Sequence, residues 1–488
     1  MERERKNNGT GRHAAGAQEE RRAADIGQAL TRERPGVEER MAAGKALRER
    51  VPRASHVQFE RPKGVDPVGI LLGQARTRVQ ELIPVRHARM LQSPFAFLRG
   101  SAAVMSADLA PTPVTGLQVQ ACGDMHVANF GVFASAERRL VFAINDFDET
   151  RPGPWEWDVK RLAASAYVAA QHLGASKSDC KEAALRIASG YRQRMRGYAT
   201  MGVLGVWYDT IDSERLLEAL PPWAREKAAA IMDKARRRNS IQVLEKMTDL
   251  IDDEHRIVEQ HPFIVRADRT RYGRTSEEGV SHFMAQYIQS LAPDRQQLLL
   301  RYRIIDVAQK VVGVGSVGTR CWVVLLQGRD EDDPLFLQVK EAQPSVLSAY
   351  LPAPQNAPAF EGQRVVQGQR LIQGSPDIFL GWGSQDGIDF YVRQLRDMKG
   401  GIELEPGKTK PSGLIEYCGL CGWALALAHA KSGDAAMISG YLGKSDVFDE
   451  AMLGFATAYA EQTQKDYDAF AGAARRGEVE VAKLPDSD

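Results

Sequence analysis

The chain has 488 residues, 43% of them hydrophobic, with 64 Lys and Arg against 63 Asp and Glu. That length supports a large core and more than one lobe, while the even charge balance offers no global field for nucleic acid or an anionic membrane. No apolar run of about 18 residues indicates a membrane span; the N-terminus lacks an apolar signal; and five scattered cysteines, an odd number, fit a reduced cytoplasmic protein.

Residues 1–53 hold 13 Lys and Arg, 9 Asp and Glu and no aromatic residue. Such a segment can bury little and is expected as a flexible or intermittently helical tail. The folded body is expected from near Phe59, with helical spacing after Asp66-Pro67 towards Leu82. Leu117, Val119 and Ala121 alternate with glutamines, which predicts a short strand running into Cys122-Gly123-Asp124. Leu140 to Ile144 predicts a second strand, followed by Asp146 and Asp148. From Trp155 to about Tyr198 the chain is Ala-rich with helical spacing, and helices continue to about residue 300. Val311-Val312, Trp322 to Leu326 and Leu335 to Lys340 are β-type runs, and 378–395 adds two strands around Gln385-Asp386-Gly387. After Pro411 the pattern is helical again. The expected organisation is a tail (1–53), a helical part (54–300), a β-rich insert (301–400) and a helical completion (401–488).

The most informative stretch is Gly123-Asp124-Met125-His126-Val127-Ala128-Asn129-Phe130, followed by Asn145-Asp146-Phe147-Asp148. In phosphoryl transfer one carboxylate orients the attacking hydroxyl and takes its proton, while an amide oxygen and a second carboxylate hold Mg²⁺ against the phosphates. Asp124 at a strand end, Asn129 five residues on, a short hairpin and then Asp146 meet that need. The alternative for these acids is turn and cap residues between short strands. His126 is either a metal ligand or a packed, hydrogen-bonded histidine.

The stretch resembles the catalytic loop of the aminoglycoside-phosphotransferase and choline-kinase branch of the protein-kinase-like superfamily, written HGDxHxxN. The resemblance implies that Asp124 is the catalytic base, that Asn129 and Asp146 are metal ligands, and that Asp158 in Trp157-Asp158-Val159 braces the loop. Cys122 stands where that pattern has His, and Asp148 where it has Gly. Gly313-Val314-Gly315-Ser316-Val317-Gly318 satisfies GxGxxG and leads into an apolar, β-branched strand, not a helix. A strand–glycine loop–strand hairpin is how kinases cover ATP phosphates with backbone amides, which makes Gly313, Gly315, Ser316 and Gly318 candidate nucleotide contacts. Lys340 ends the next strand, as the phosphate-holding lysine does, and Glu361 is its expected carboxylate partner.

In a standard kinase the glycine loop and lysine precede the catalytic loop; here they follow it by about 190 residues. The expectation is a two-lobed α+β, kinase-like fold that is circularly permuted, with the β-rich small lobe inserted into the helical large lobe. Ser432-Gly433-Asp434 occupies the standard place of the catalytic loop but lacks a following Asn or His. Arg86, Arg89 and Arg99 are candidates either to hold an anionic substrate or to form structural ion pairs.

Beyond these motifs, Asp66-Pro67-Val68, Ser93 to Gly100, Gly123 to Gly131, Asn145 to Thr150, Pro152 to Asp158, Leu337 to Ala342 and Gly368-Gln369-Arg370 resemble the bacterial domain of unknown function 2252 family. That family is placed with kinase-like folds. The expected function is ATP- and Mg²⁺-dependent transfer of phosphate to a hydroxyl of a small molecule or protein, with nucleotidyl transfer as a variant. The alternatives are a metal-dependent phosphoesterase using Asp124, His126, Asn129 and Asp146, and a nucleotide-binding pseudokinase scaffold. Cys418-Gly419-Leu420-Cys421, in a helical run with no second ligand pair, is expected as packed cysteines.

Overall fold

Two patterns, a 3.6-residue apolar stripe and a two-residue alternation, sort this mixed α+β chain into a helical body and an antiparallel sheet. The computed structural model describes residues 27–28, 30–238, 240–251, 254–261, 263–266, 277–311, 317–395 and 398–484. Ahead of the site come α1 (Ile83–Met90) and α2 (Pro94–Gly100), each opened by a proline in its first turn, where a missing N–H costs little. Then follow β1 (Gln118–Ala121), β2 (Phe130–Ala134), β3 (Leu140–Ile144) and β4 (Arg151–Pro154). β1 pairs antiparallel with β4, and β2 with β3. The effect is to bring the loop after β1 and the loop after β3 to one place.

The body is formed by α3 (Trp155–His172) and α4 (Lys177–Thr200), which pack with two helices from the far end of the chain. Trp155 is fully buried and stacks on Tyr191 with ring centroids 5.7 Å apart. Burying side chains of this size stabilises by about 1.5–3 kcal/mol each.

The sheet unit contains β5 (Ile264–Arg266), α5 (Glu277–Gln289), β6 (Arg303–Lys310), β7 (Cys321–Gln327), β8 (Pro334–Glu341), α6 (Glu361–Ile372), β9 (Gly381–Gln385) and β10 (Ile388–Gln394). Its six strands run β9–β10–β8–β7–β6–β5, all antiparallel to their neighbours. Alternation assigns the faces: Val324 and Leu326 of β7 join Phe283 and Tyr287 of α5, while Val323 and Leu325 join Val243, Leu244 and Met247 on the other side. The unit therefore draws on chain from about residue 240, ahead of the boundary expected at 301; a helical pattern does not reveal which layer a helix covers.

Helices α7 (Pro411–Ser432) and α8 (Val447–Arg475) complete the body against α4 and α3. Among the described residues α7 is the one helix long and apolar enough to cross a membrane, and 72% of its apolar window is buried inside the molecule. Cys418 and Cys421 lie buried on it as free thiols, both pushed up by burial. Asp434 caps the next helix by accepting from the Met437 N–H (3.0 Å), a structural role.

The tail expectation needs correction over Val37–Arg50, which is a helix packed on Ala435–Leu442. A side chain at Gly44 would meet the Met437 carbonyl oxygen at 2.0 Å, and one at Gly440 the Met41 oxygen at 2.1 Å. Contact is made by backbones through small residues, and Arg48 adds hydrogen bonds to the Gly440 and Tyr441 carbonyls (2.6 and 2.8 Å). A count of aromatic and large apolar residues misses such an interface.

Candidate active site

The loop after β1 is shaped by the first turn of α3. Asp158, 1% exposed, accepts hydrogen bonds from the backbone N–H groups of Cys122 (2.6 Å) and Gly123 (3.0 Å), which is the bracing position expected of it. Gly123 has φ +78°, and a Cβ there would lie 2.7 Å from the Glu149 carbonyl oxygen, so the turn admits only glycine. Asn129 closes the loop by donating from its side-chain amide to the Asp124 carbonyl (2.7 Å). The Asn145 N–H donates to the Asn129 carbonyl (2.8 Å), and the Thr150 hydroxyl to the Ala121 carbonyl (2.7 Å). These bonds hold the two acidic loops side by side.

Asp124 is gripped at one carboxylate oxygen by Arg161, whose Nε lies at 2.9 Å and whose Nη2 makes a second contact. Burial raises the Asp124 carboxyl above its ordinary range, with Arg161 pulling the other way. Its second oxygen lies 3.9 Å from His126 Nε2. His126 is buried, and burial together with Arg99 and Arg161 holds it well below the usual imidazole range; it lines the cleft, and its Nδ1 has no hydrogen-bond partner.

Lys340 ends the face of β8 that alternation assigns to Phe336 and Gln338. Its ammonium, 2% exposed, donates to Asp148 (2.7 Å) and lies 3.9 Å from Asp146 Oδ1. The Tyr391 hydroxyl donates to the other Asp148 oxygen (2.5 Å). Burial opposes ionisation of both partners, but Asp146 and Asp148 hold Lys340 well above its usual range, while Lys340 and Tyr391 hold Asp148 well below its own.

Asp124, Asn129 and Asp146 thus line one cleft, with Lys340 within reach of its acids. Glu361 is not the partner of Lys340. It opens α6 and pairs with Arg364, which donates to the carbonyls of Asp148 (2.9 Å), Thr150 (2.6 Å) and Gln343 (2.8 Å). The helix reaches the acidic loop through an arginine, and Asp148, the departure from the glycine of the pattern, supplies the counter-charge. Gly313, Gly315 and Ser316 lie outside the described residues; Gly318 accepts at its carbonyl from the Val79 N–H (2.7 Å).

Arg161, Tyr391, Arg393 and Glu149 were not singled out by sequence reasoning. Arg161 had a signal, being three residues beyond Asp158 on a helix and so on the same face. Arg393 donates to the Asn145 carbonyl (3.1 Å) and to Gln338 (3.0 Å) across a strand pair that no local pattern announces.

The cleft is small, about 100 Å³, with Asp124, Asn129, Asp146, Asp148 and Glu149 meeting Arg78, Arg86 and Arg99. Among the described residues no group of three or more His, Cys, Asp and Glu side chains converges as a metal cage. A family described as uncharacterized protein conserved in bacteria, domain of unknown function 2252, matches residues 78–473. The chain belongs to this family. The match takes in both acidic loops, the glycine segment, Lys340 and the helices behind them. No curated protein and no solved structure matches the chain.

Proposed function

We propose that this member of the family is an ATP- and Mg²⁺-dependent phosphotransferase of kinase-like, circularly permuted construction, acting on a hydroxyl group. The observation that carries the reading is the approach of Lys340 Nζ to Asp146 Oδ1, 3.9 Å across 194 residues of chain, beside Asp124 and Asn129. Supporting it, the glycine segment lies between β6 and β7, the lysine is on the next strand β8, and a helix follows, which is the order of parts in a kinase small lobe.

The residues fit the implied ligands. Asn129 commits its amide nitrogen to the loop, which leaves its oxygen for a cation, and Asp146 is a carboxylate on the cleft. Mg²⁺ so held would draw charge from the transferring phosphate. Asp124, with one oxygen fixed by Arg161, is positioned to take the acceptor's proton on the other. The acceptor oxygen then bonds to the γ-phosphorus as the bond to the ADP oxygen breaks. The phosphoesterase alternative would want several histidines at the metal, and among the described residues His126 is the one histidine that lines this cleft.

The test is thermal unfolding with ATP and Mg²⁺, wild type against Asp146→Ala. At 100 times Kd a ligand confined to the folded state adds about 2.7 kcal/mol. A magnesium-dependent rise lost in the variant supports the reading; no rise in wild type at millimolar ATP overturns it. Binding that is never followed by transfer to any hydroxyl acceptor would favour the scaffold.

A further inference from the structure

Two arginines that line the cleft with the acids, Arg86 and Arg99, contrast with an arginine whose charge is fully matched. Arg61, a structural cation, is matched by Asp108 and Asp466 at 2.5–2.8 Å. Arg86, 1% exposed on α1, makes one hydrogen bond, from Nη2 to the Gly100 carbonyl (2.8 Å); its Nε and Nη1 have no partner. The charge that acts on it is another cation, Arg78. Arg99, at the end of α2, has no partner at Nε, and the charges that act on it are those of Asp124 and Asp146. Both side chains line the cleft with Asp124. A buried guanidinium without a counter-ion costs several kcal/mol by order of magnitude, and its planar fork of donors matches a phosphate.

We propose that Arg86 and Arg99 bind a phosphate group carried by the acceptor, so that the substrate class is a phosphorylated small molecule bearing a free hydroxyl. This rests on the phosphotransferase reading above. Two guanidinium groups suit a dianion better than a single carboxylate. The acceptor, not the nucleotide, is indicated by where α2 is anchored. Arg161 bridges Asp124 and the Leu98 carbonyl (2.9 Å), tying the end of α2 to the candidate base. A phosphate held at Arg99 therefore places a neighbouring hydroxyl at Asp124, whereas Lys340 stands with Asp146 and Asp148.

The experiment is calorimetric titration of the full-length protein with inorganic phosphate, with and without a saturating non-hydrolysable ATP analogue and Mg²⁺. One phosphate should bind, and should still bind when the analogue fills the nucleotide site. Arg99→Gln should weaken phosphate at least tenfold and leave analogue affinity within twofold, and Arg86→Met should do the same. Arg86→Lys, which keeps the charge and much of the volume but loses the fork, serves if the buried methionine unfolds the chain. Failure of wild type to bind phosphate, displacement of phosphate by the analogue, or loss of analogue binding in Arg99→Gln would each overturn the proposal. Arginine-dependent phosphate binding without any analogue binding would support the anion site and sink the phosphotransferase reading instead.

Discussion

Lys340 sits in the interior with its ammonium against Asp148, and the Tyr391 hydroxyl completes the carboxylate. Removing Asp148 leaves the buried ammonium with Asp146, at 3.9 Å, as its remaining carboxylate, at a cost of about 3 kcal/mol, the lower end of the range for a broken buried pair. Asp148→Ala should therefore lower the stability of the whole protein by that order in urea unfolding, more than Glu361→Ala, whose carboxylate is one-third exposed and pairs with Arg364. Equal effects of the two would contradict the assignment of the counter-ion. Glu149, beside them, is pushed up by burial from its ordinary 4.5 to about 7. Its proton stabilises the folded state fully below pH 4.5, and that contribution is lost as pH rises through 7. Glu149→Gln keeps the group neutral and an acceptor for the Val346 N–H (2.7 Å). It should gain on the order of 1 kcal/mol over wild type at pH 8, after allowance for solvent screening, and nothing at pH 4. Paired unfolding curves at the two pH values check the sign. At this scale the motifs that carry Asp124, Asn129, Asp146 and Lys340 were legible as sequence, and the structure brings those four residues together. The counter-ion was not, because Glu361 and Asp148 satisfy the same requirement on paper.

Helix α6 acts on the site through a single side chain. Arg364 reaches three carbonyls, two of them in the loop that carries Asp148. Arg364→Met keeps the helix former and most of the buried stem but removes those donors, leaving carbonyls short of partners at about 1–3 kcal/mol. Hydrogen exchange should quicken in residues 146–150 while α6 itself stays protected, and the stabilisation by ATP and Mg²⁺ should shrink. Unchanged exchange there would show that the loop is held by its other bonds, those of Lys340 and Tyr391 to Asp148 and of Thr150 to the Ala121 carbonyl. The helix Val37–Arg50 offers a second case. Gly44→Val places methyl groups against the Met437 backbone and should cost about 1–3 kcal/mol, read as faster proteolysis within 37–50. Strands were legible element by element, since β7 and β8 read as apolar, β-type runs of seven and eight residues bounded by glycines and a charged turn. That α5 covers one face of the sheet while α6 bridges it to the body was not, since local helical spacing does not say which layer a helix packs against.

For the molecule as a whole, the body is closed by two long helices near the end of the chain: α7 packs on α4, and α8 on α3 and α4. Their buried faces include Leu425, Met452, Phe455 and Tyr459 within one core that also holds Trp155 and the acidic-loop residues Val127 and Phe147. Truncation after residue 410 should abolish cooperative unfolding in circular dichroism, although it spares Asp124, Asn129, Asp146 and Lys340. A cooperative transition in the truncated chain would mean that the first helices form a core alone. The sequence by itself determined the chemistry available, the succession of helix, sheet and helix, and the family, because residue type and local periodicity are properties of neighbouring positions. Only the tertiary structure decided that Lys340 meets Asp146 and Asp148, that Arg161 fixes the acid of the loop, and that Arg86 is left without a counter-charge. Those facts depend on distances between residues tens to hundreds of positions apart, which hydrophobic closure of the core sets and no local pattern encodes.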